Sequence, residues 1–334
     1  MQVLTSNLIQ NKKVLLRLDL DVPIGPRIAN SLPSTAEDPV VQDDFRLLAG
    51  METLGFCLDH AESVIIMGHI GRPNGEDPSL TVKPIVNWLE EGYGHITLPE
   101  GKLHILENLR FEEGEDACDL SFAKELAQFG DVFINEAFAS HHPSSSTTIL
   151  PKLLPHAAGF TFAKEVEVLK EIREKPQKPF IAIIGGAKIE DKLPAVLSLA
   201  KIADAVLVGG KIASEIKEKN IEIPPNVMVG KLTEDGLDIA AETVDSWQHL
   251  IEQAKLIVWN GPLGRVEDEK NDKSRNIAQM VTSSNAKTIL GGGDTISFLD
   301  KLGILNKFSF VSTGGGAMLE FIIKGTLPSI EALE

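Results

Sequence analysis

Short apolar runs, each closing on glycine, a polar turn or a loop, recur along the chain: KVLLRLD (13–19), SVIIMG (63–68), HILE (104–107), DVFIN (131–135), FIAIIGG (180–186), DAVLVGG (204–210), LIVWNG (256–261), KTILGGG (287–293) and FSFVST (308–313). They are rich in β-branched residues and continuous rather than alternating, which is the pattern of strands in parallel sheets covered on both faces. Between most of them lie stretches of helical period, such as 44–61 and 191–203. This alternation predicts an α/β fold built of doubly wound parallel sheets.

The segment 161–179, TFAKEVEVLKEIREKPQKP, breaks the rhythm. It reads as a charged amphipathic helix stopped by Pro176 and Pro179, opening directly into the next buried strand. Its position near the middle predicts two lobes, 1–160 and 180–315, joined by a helical connector over 161–179. A chain of 334 residues is long for one core and comfortable for two. The stretch 25–42, rich in Pro, Ser and Asn, reads as an exposed loop.

Composition narrows the function. The longest apolar runs are far too short to span a bilayer, and the first 13 residues carry their charges after the weak apolar stretch, unlike a signal peptide. These features predict a cytoplasmic protein. The two cysteines, Cys57 and Cys118, form no CxxC pair and read as plain thiols. A net charge of −16 argues against nucleic acid and anionic membrane as partners. Any anionic ligand must therefore meet a local concentration of cations and backbone amides.

The second half offers such a place. In 287–303 a strand runs into three glycines and then Asp294 and Thr295, either of which could cap the following helix. Glycine lets an anion approach the backbone without meeting a Cβ, and a helix start favours phosphate. The runs at 180–188 and 204–210 also end in Gly-Gly, the first presenting Lys188 with Lys192 a turn later, and 311–321 repeats the strand–glycine–helix pattern. Ligands of open α/β sheets bind outside the carboxyl ends of the strands, so these glycine turns predict one nucleotide site. WNGPLGRVE (259–267) adds a rigid turn able to wall a purine pocket and Glu267 at a distance suited to a ribose hydroxyl. Neither a P-loop nor a dinucleotide fingerprint is present.

The first half carries basic residues at its strand ends: His69 and Arg72 after the second strand, Arg110 after the third, His141 and His142 beyond the fourth, and Arg46 opening a helix. Arginines gathered at one rim favour an anion site through bidentate bonds. Asp19 and Asp21, at the end of the first strand, can orient them or bond substrate hydroxyls.

The motifs RxDxxVP, HxGRP, ENLRF, N-[DE]-AF, GGAKxxDK, WNGPxG, GGGDT, STGGGAxLE and LPxxEAL, in this order from about Lys13 to Leu333, resemble the phosphoglycerate kinase family. The resemblance implies 3-phosphoglycerate or 1,3-bisphosphoglycerate on the first lobe, held by Asp19, Asp21, Arg46, His69, Arg72, Arg110 and His142. It implies ATP or ADP with Mg²⁺ on the second, held by Gly186, Ala187, Lys188, Lys192, Gly210, Asn260, Pro262, Glu267, Gly292, Gly293, Asp294 and Thr295, with Asp294 near the metal. Arg46, Lys188, Gly292 and Gly315 make up the implied catalytic set. It further implies a monomer, lobe closure about the connector, and a final segment, 316–334, returning to the first lobe.

The sequence also departs from the family pattern. Pro143 stands where the family usually has Arg, Asp21 where it has Asn, and the stretch between Gly210 and Lys255 is short. Asn271, Asp272, Ser274 and Arg275 replace the usual residues after Glu267. These changes leave two alternatives beside an active phosphoglycerate kinase: a non-catalytic nucleotide-binding homologue, or a kinase of another small carboxylate.

Overall fold

Burial accounts for the continuous apolar runs. In the computed structural model, which describes residues 1–26, 39–92, 98, 100–266 and 273–334, the first half contributes strands β1 (Lys13–Arg17), β2 (Ile24–Gly25), β3 (Val40–Val41), β4 (Ser63–Met67), β5 (Leu103–Ile105), β6 (Val132–Asn135) and β7 (His156–Ala158). All of β6 and the last four residues of β1 and β4 are buried, as parallel strands covered on both faces require. Five of these strands form one parallel sheet in the order β5-β4-β1-β6-β7, and β2 and β3 form a small antiparallel ribbon. Val14, Leu16, Val64, Ile66, Val132 and Ile134 lie at the centre of the core on one side of that sheet, with Leu54 and Leu58 from the helix Met51–His60.

The second half contributes β8 (Phe180–Ile184), β9 (Ala205–Val208), β10 (Val227–Val229), β11 (Leu256–Asn260), β12 (Lys287–Gly291) and β13 (Phe310–Val311). They form a parallel sheet in the order β10-β9-β8-β11-β12-β13. In each sheet the chain winds outward from its first strand, then crosses to that strand's other side. The direction of winding therefore reverses between β1 and β6 in one sheet and between β8 and β11 in the other. Crevices form at such points, beyond the carboxyl ends of the strands.

The chain divides into two units, Met1–Val166 with Leu327–Glu334, and Glu167–Thr326. The division falls inside the helix Phe160–Glu174. That helix stops short of Pro176, which has no amide to donate and whose ring would meet the carbonyl four residues back. Its first turn is held within the first unit: Thr161 and Phe162 donate their amides to the Glu136 carboxylate at 3.0 and 2.9 Å, and Phe160 donates to Thr53 Oγ1 at 2.9 Å. Near its other end, in the second unit, Arg173 donates to the carbonyls of Ile322 and Ile323, the last turn of the helix Gly315–Lys324.

Two features differ from the sequence expectation. The helical stretch 44–61 is two helices, Phe45–Ala49 and Met51–His60, meeting at Gly50. A Cβ on Gly50 would lie 2.8 Å from Leu18 Cδ2, so the junction packs directly on the segment after β1. Strands β2, β3, β7 and β10 are additional, two or three residues each, and too short to announce themselves by periodicity. Most of the expected loop at 25–42 lies outside the described residues, between β2 and β3.

Candidate functional site

Beyond β1 the chain places Asp19 at the first crevice. Asp19 is 6% exposed, and among the described residues neither of its carboxylate oxygens has a hydrogen-bond partner. Arg46 Nε lies 3.8 Å away. Burial pushes the Asp19 carboxyl above its ordinary value, against the pull of Arg46. Arg46 also donates to the Asp21 carbonyl at 2.7 Å and faces the Asp21 carboxylate at 3.9 Å. Asp21 Oδ1 accepts the Gly71 amide at 2.8 Å, which ties the turn after β4 to the loop after β1.

Asn108 fixes that turn. Its Oδ1 accepts the amides of Ile70 and Arg110 at 3.2 and 3.1 Å, and its Nδ2 donates to the carbonyls of Ile70 and Leu80 at 2.8 and 2.9 Å. One buried side chain thus joins the turn bearing His69 and Arg72 to the short 3₁₀ turn bearing Arg110. Arg110 in turn donates to the Gly71 carbonyl at 2.7 Å and to Asp116 at 3.0 Å. His69 is buried, and its pKa falls to about 2, through burial first and then Arg17, Arg110, Arg46 and Arg72. Four guanidinium groups acting on one imidazole mark a site prepared for an anion. Asp19, Asp21, Arg46, His69 and Arg110 are thereby gathered, with Arg72 exposed at the edge. His142 is also exposed, its ring 4.2 Å from that of His141.

The sequence reading passed over Arg17, Glu115 and Ser146. Arg17, at the end of β1, is 1% exposed; its Nε donates to Ser146 Oγ at 2.9 Å and its Nη1 to the Leu18 carbonyl at 3.0 Å. Ser146 donates its hydroxyl to Glu115 at 2.5 Å and its amide to the same carboxylate at 3.0 Å. The available signal was a charged residue inside an otherwise apolar strand.

At the second crevice glycine turns meet backbone to backbone. A Cβ on Gly185 would lie 2.1 Å from the Pro262 carbonyl oxygen, and one on Gly210 2.9 Å from that of Gly186. Gly186 donates its amide to the Pro262 carbonyl at 2.9 Å, and Gly210 donates to that of Leu263 at 2.8 Å. Asn260, fully buried at the end of β11, joins two further turns: its Oδ1 accepts Lys192 Nζ at 2.5 Å and its Nδ2 donates to the Gly315 carbonyl at 3.0 Å. Burial lowers the Lys192 pKa, against the pull of Asp191 and Asp294. Lys188 is exposed at the start of the helix Ile189–Leu199, next to Ala187, also exposed.

The expectation that Asp294 or Thr295 caps the helix after β12 is corrected. The helix is Gly293–Lys301 and its cap is Gly292 at a φ of 100°, a residue with no side chain to bond the first amides. A helix start capped by glycine can turn its first amides to an anion. Asp294 is exposed in the first turn, and Thr295 Oγ1 is fully buried with no partner among the described residues. An exposed carboxylate beside such amides fits Mg²⁺, which takes one or two protein carboxylates and completes its shell with phosphate oxygens and water. Glu267, with Asn271 and Asp272, lies outside the described residues. Asp238 is a further residue the sequence reading missed. It accepts the Lys273 amide at 2.9 Å, the Ser274 hydroxyl at 3.1 Å and the Ile239 amide at 2.8 Å, tying the short 231–240 turn to the helix Lys273–Ser283.

Comparison with known proteins agrees with this geometry. The phosphoglycerate kinase family profile matches residues 4–226 and 215–325, two stretches that meet inside the short 210–255 segment. The phosphoglycerate kinase of Finegoldia magna is 31% identical over 395 residues, covering 98% of this chain and 97% of the relative. That of Moorella thermoacetica is 32% identical over 392 residues, covering 97% of each. Among solved structures, phosphoglycerate kinase from Coxiella burnetii superposes with a TM-score of 0.81 at 28% identity, covering 99% of this chain and 98% of the other. That from Pyrococcus horikoshii OT3 gives 0.84 at 27% identity, covering 100% and 98%. The chain belongs to the phosphoglycerate kinase family and is a phosphotransferase with that activity.

Proposed function

We propose that the chain transfers a phosphoryl group reversibly between ATP and the carboxylate of 3-phosphoglycerate (1,3-bisphosphoglycerate + ADP ⇌ 3-phosphoglycerate + ATP), as a cytoplasmic monomer using Mg²⁺ with the nucleotide. The observation that carries the assignment of residues is the Asp19 carboxylate, buried beside cations with no hydrogen-bond partner among the described residues. An unpartnered buried carboxylate is costly, and a ligand that brings a hydroxyl donor together with anionic groups removes the cost. A phosphorylated hydroxy acid has that composition.

Arg46, Arg72 and Arg110 bind the anionic groups of the substrate, and His69 donates a neutral hydrogen bond. Asp21 acts mainly by holding the Gly71 turn. His142 stands at the exposed rim. On the second unit, the first amides of the helix Gly293–Lys301 and Lys188 receive the nucleotide phosphates, and Thr295 Oγ1 finds its partner there. The glycines at 186, 210, 292, 293 and 315 leave room for that contact, while Pro262 and Glu267 contribute to the nucleoside pocket. Asp294 would hold Mg²⁺, which neutralises phosphate charge. The attacking carboxylate is ionised at neutral pH, so no general base is needed, and catalysis is positioning plus charge stabilisation by Arg46 and Lys188.

The test is a coupled assay with MgATP and 3-phosphoglycerate, with Lys188→Ala and Arg46→Ala as controls. Turnover lost in both controls supports the reading. Wild-type turnover that survives both substitutions overturns the role assignments, and turnover only with a different hydroxy acid overturns the substrate.

A further inference from the structure

His69 is oriented by a residue that need not touch the substrate. Arg17 Nη2 stands 2.8 Å from His69 Nδ1, with both side chains buried. A guanidinium nitrogen only donates, so Nδ1 must accept and cannot carry a proton. The single ring proton of the neutral imidazole is then on Nε2. We propose that Arg17 is a positioning residue for the reaction, locking His69 as a neutral Nε2–H donor that binds the substrate.

The rest of the fork supports this role. The Arg17 guanidinium cannot rotate away from His69 without losing the Nε bond to Ser146 and the Nη1 bond to the Leu18 carbonyl. Ser146 is itself fixed by two bonds to Glu115, whose carboxylate lies 3.9 Å from Arg17 Nη2 and balances its charge in the interior. Arg17 therefore donates in both directions, to Ser146, which donates on to Glu115, and to His69 Nδ1, in a chain that spans segments from β1 to residue 146. The charged groups acting on the imidazole are Arg17, Arg110, Arg46 and Arg72; Asp19, Asp21 and Glu115 act on Arg17. A second proton on His69 would point Nδ1–H at the Arg17 N–H, so the geometry excludes the imidazolium. A neutral donor suits a site already crowded with cations, since it adds a directed bond without further like-charge repulsion.

The proposal rests on His69 being a substrate ligand, and the two claims separate experimentally. Nitrogen-15 NMR of the histidine rings in the full chain, with His69→Ala to assign the signal, should show His69 as the neutral Nε2–H tautomer without titration from pH 5 to 9. A Nδ1–H tautomer, or an imidazolium appearing near the ordinary pKa of about 6.5, overturns the proposal without any Arg17 variant. The double variant Arg17→Met/Glu115→Gln removes both interior charges together, so neither is left buried alone. In it Nδ1 loses its donor while burial and Arg110, Arg46 and Arg72 still disfavour the imidazolium. His69 should therefore stay neutral but show the Nδ1–H tautomer beside Nε2–H, and KM for 3-phosphoglycerate should rise about three- to tenfold, kcat changing less. A single Nε2–H tautomer with unchanged KM in a folded double variant overturns the positioning role. If His69→Ala leaves KM unchanged, the substrate-ligand reading falls and Arg17's part in the reaction falls with it, whereas the wild-type spectrum still decides the tautomer.

Discussion

Gly315 lies so close to Gly292 that a Cβ on the former would stand 2.6 Å from the latter's Cα and 2.7 Å from its amide nitrogen. The obstacle is backbone, which cannot swing aside as a side chain would. Gly292 is also the residue whose φ of 100° starts the helix Gly293–Lys301. Gly315→Ala must therefore push that turn out of place, at a cost of about 1–3 kcal/mol. We expect KM for ATP to rise at least about tenfold while KM for 3-phosphoglycerate stays nearly constant. Steady-state kinetics with each substrate varied in turn, beside thermal denaturation, check this; equal change in both KM values contradicts it.

Asp19 offers the opposite trade. Burial pushes its carboxyl above the ordinary value, and no hydrogen bond to the described residues offsets this, so the neutral isostere should relieve the folded state. Asp19→Asn is expected to stabilise the ligand-free protein by about 1 kcal/mol and to lower kcat/KM for 3-phosphoglycerate about ten- to a hundredfold. Denaturant titration and kinetics on the same preparation test both halves, and a variant that is both less stable and fully active refutes the argument.

The legible parts of this molecule are those set by local chemistry. The runs FIAII and LIVWN are buried from end to end and needed no partner to identify them. Glycine turns announced the second crevice because backbone packing leaves no substitute for the missing Cβ. Arg17 escaped notice because its role lies in a contact with Ser146, 129 positions away, and with His69, 52 positions away. Asp238 escaped for the same reason, since its partners Lys273 and Ser274 come from a later helix. The helix cap at Gly292 was misread because Asp and Thr favour caps by composition, whereas a positive φ at that position can be met cheaply only by glycine.

Glu136 carries a pH prediction. Burial raises its pKa from 4.5 to about 7, outweighing the bonds from Phe162, Thr53 and Thr161 that favour the ionised form. Below pH 4.5 the group is protonated folded and unfolded alike and contributes no penalty. As pH rises from 4.5 to about 7 the unfolded chain ionises first, so this group's contribution to stability falls, by roughly 3 kcal/mol in all, and it is level above pH 7. Glu136→Gln removes the titration. Its stability, followed by denaturant titration from pH 4.5 to 8, should gain on wild type as pH rises to 7; a constant difference between the two rules out a raised pKa at this position.

Pro143 supplies the last prediction. It is exposed, directly after His142, where the family pattern carries an arginine. Proline has no donor and no charge to offer a phosphate, so on the proposed assignment of residues the first unit meets its substrate with one cation fewer. A charge-assisted hydrogen bond contributes about 1.5–3 kcal/mol, and solvent screening at an exposed position reduces it. Pro143→Arg should therefore lower KM for 3-phosphoglycerate about tenfold and leave KM for ATP unchanged. Because the added contact is between exposed charges, the gain should shrink as salt rises and the Debye length falls from about 10 Å at 0.1 M to about 3 Å at 1 M. Kinetics of both proteins across that salt range decide the matter: an improvement that persists at high salt points to a shape change at the loop, and no improvement means that the site's cations already saturate the substrate phosphate.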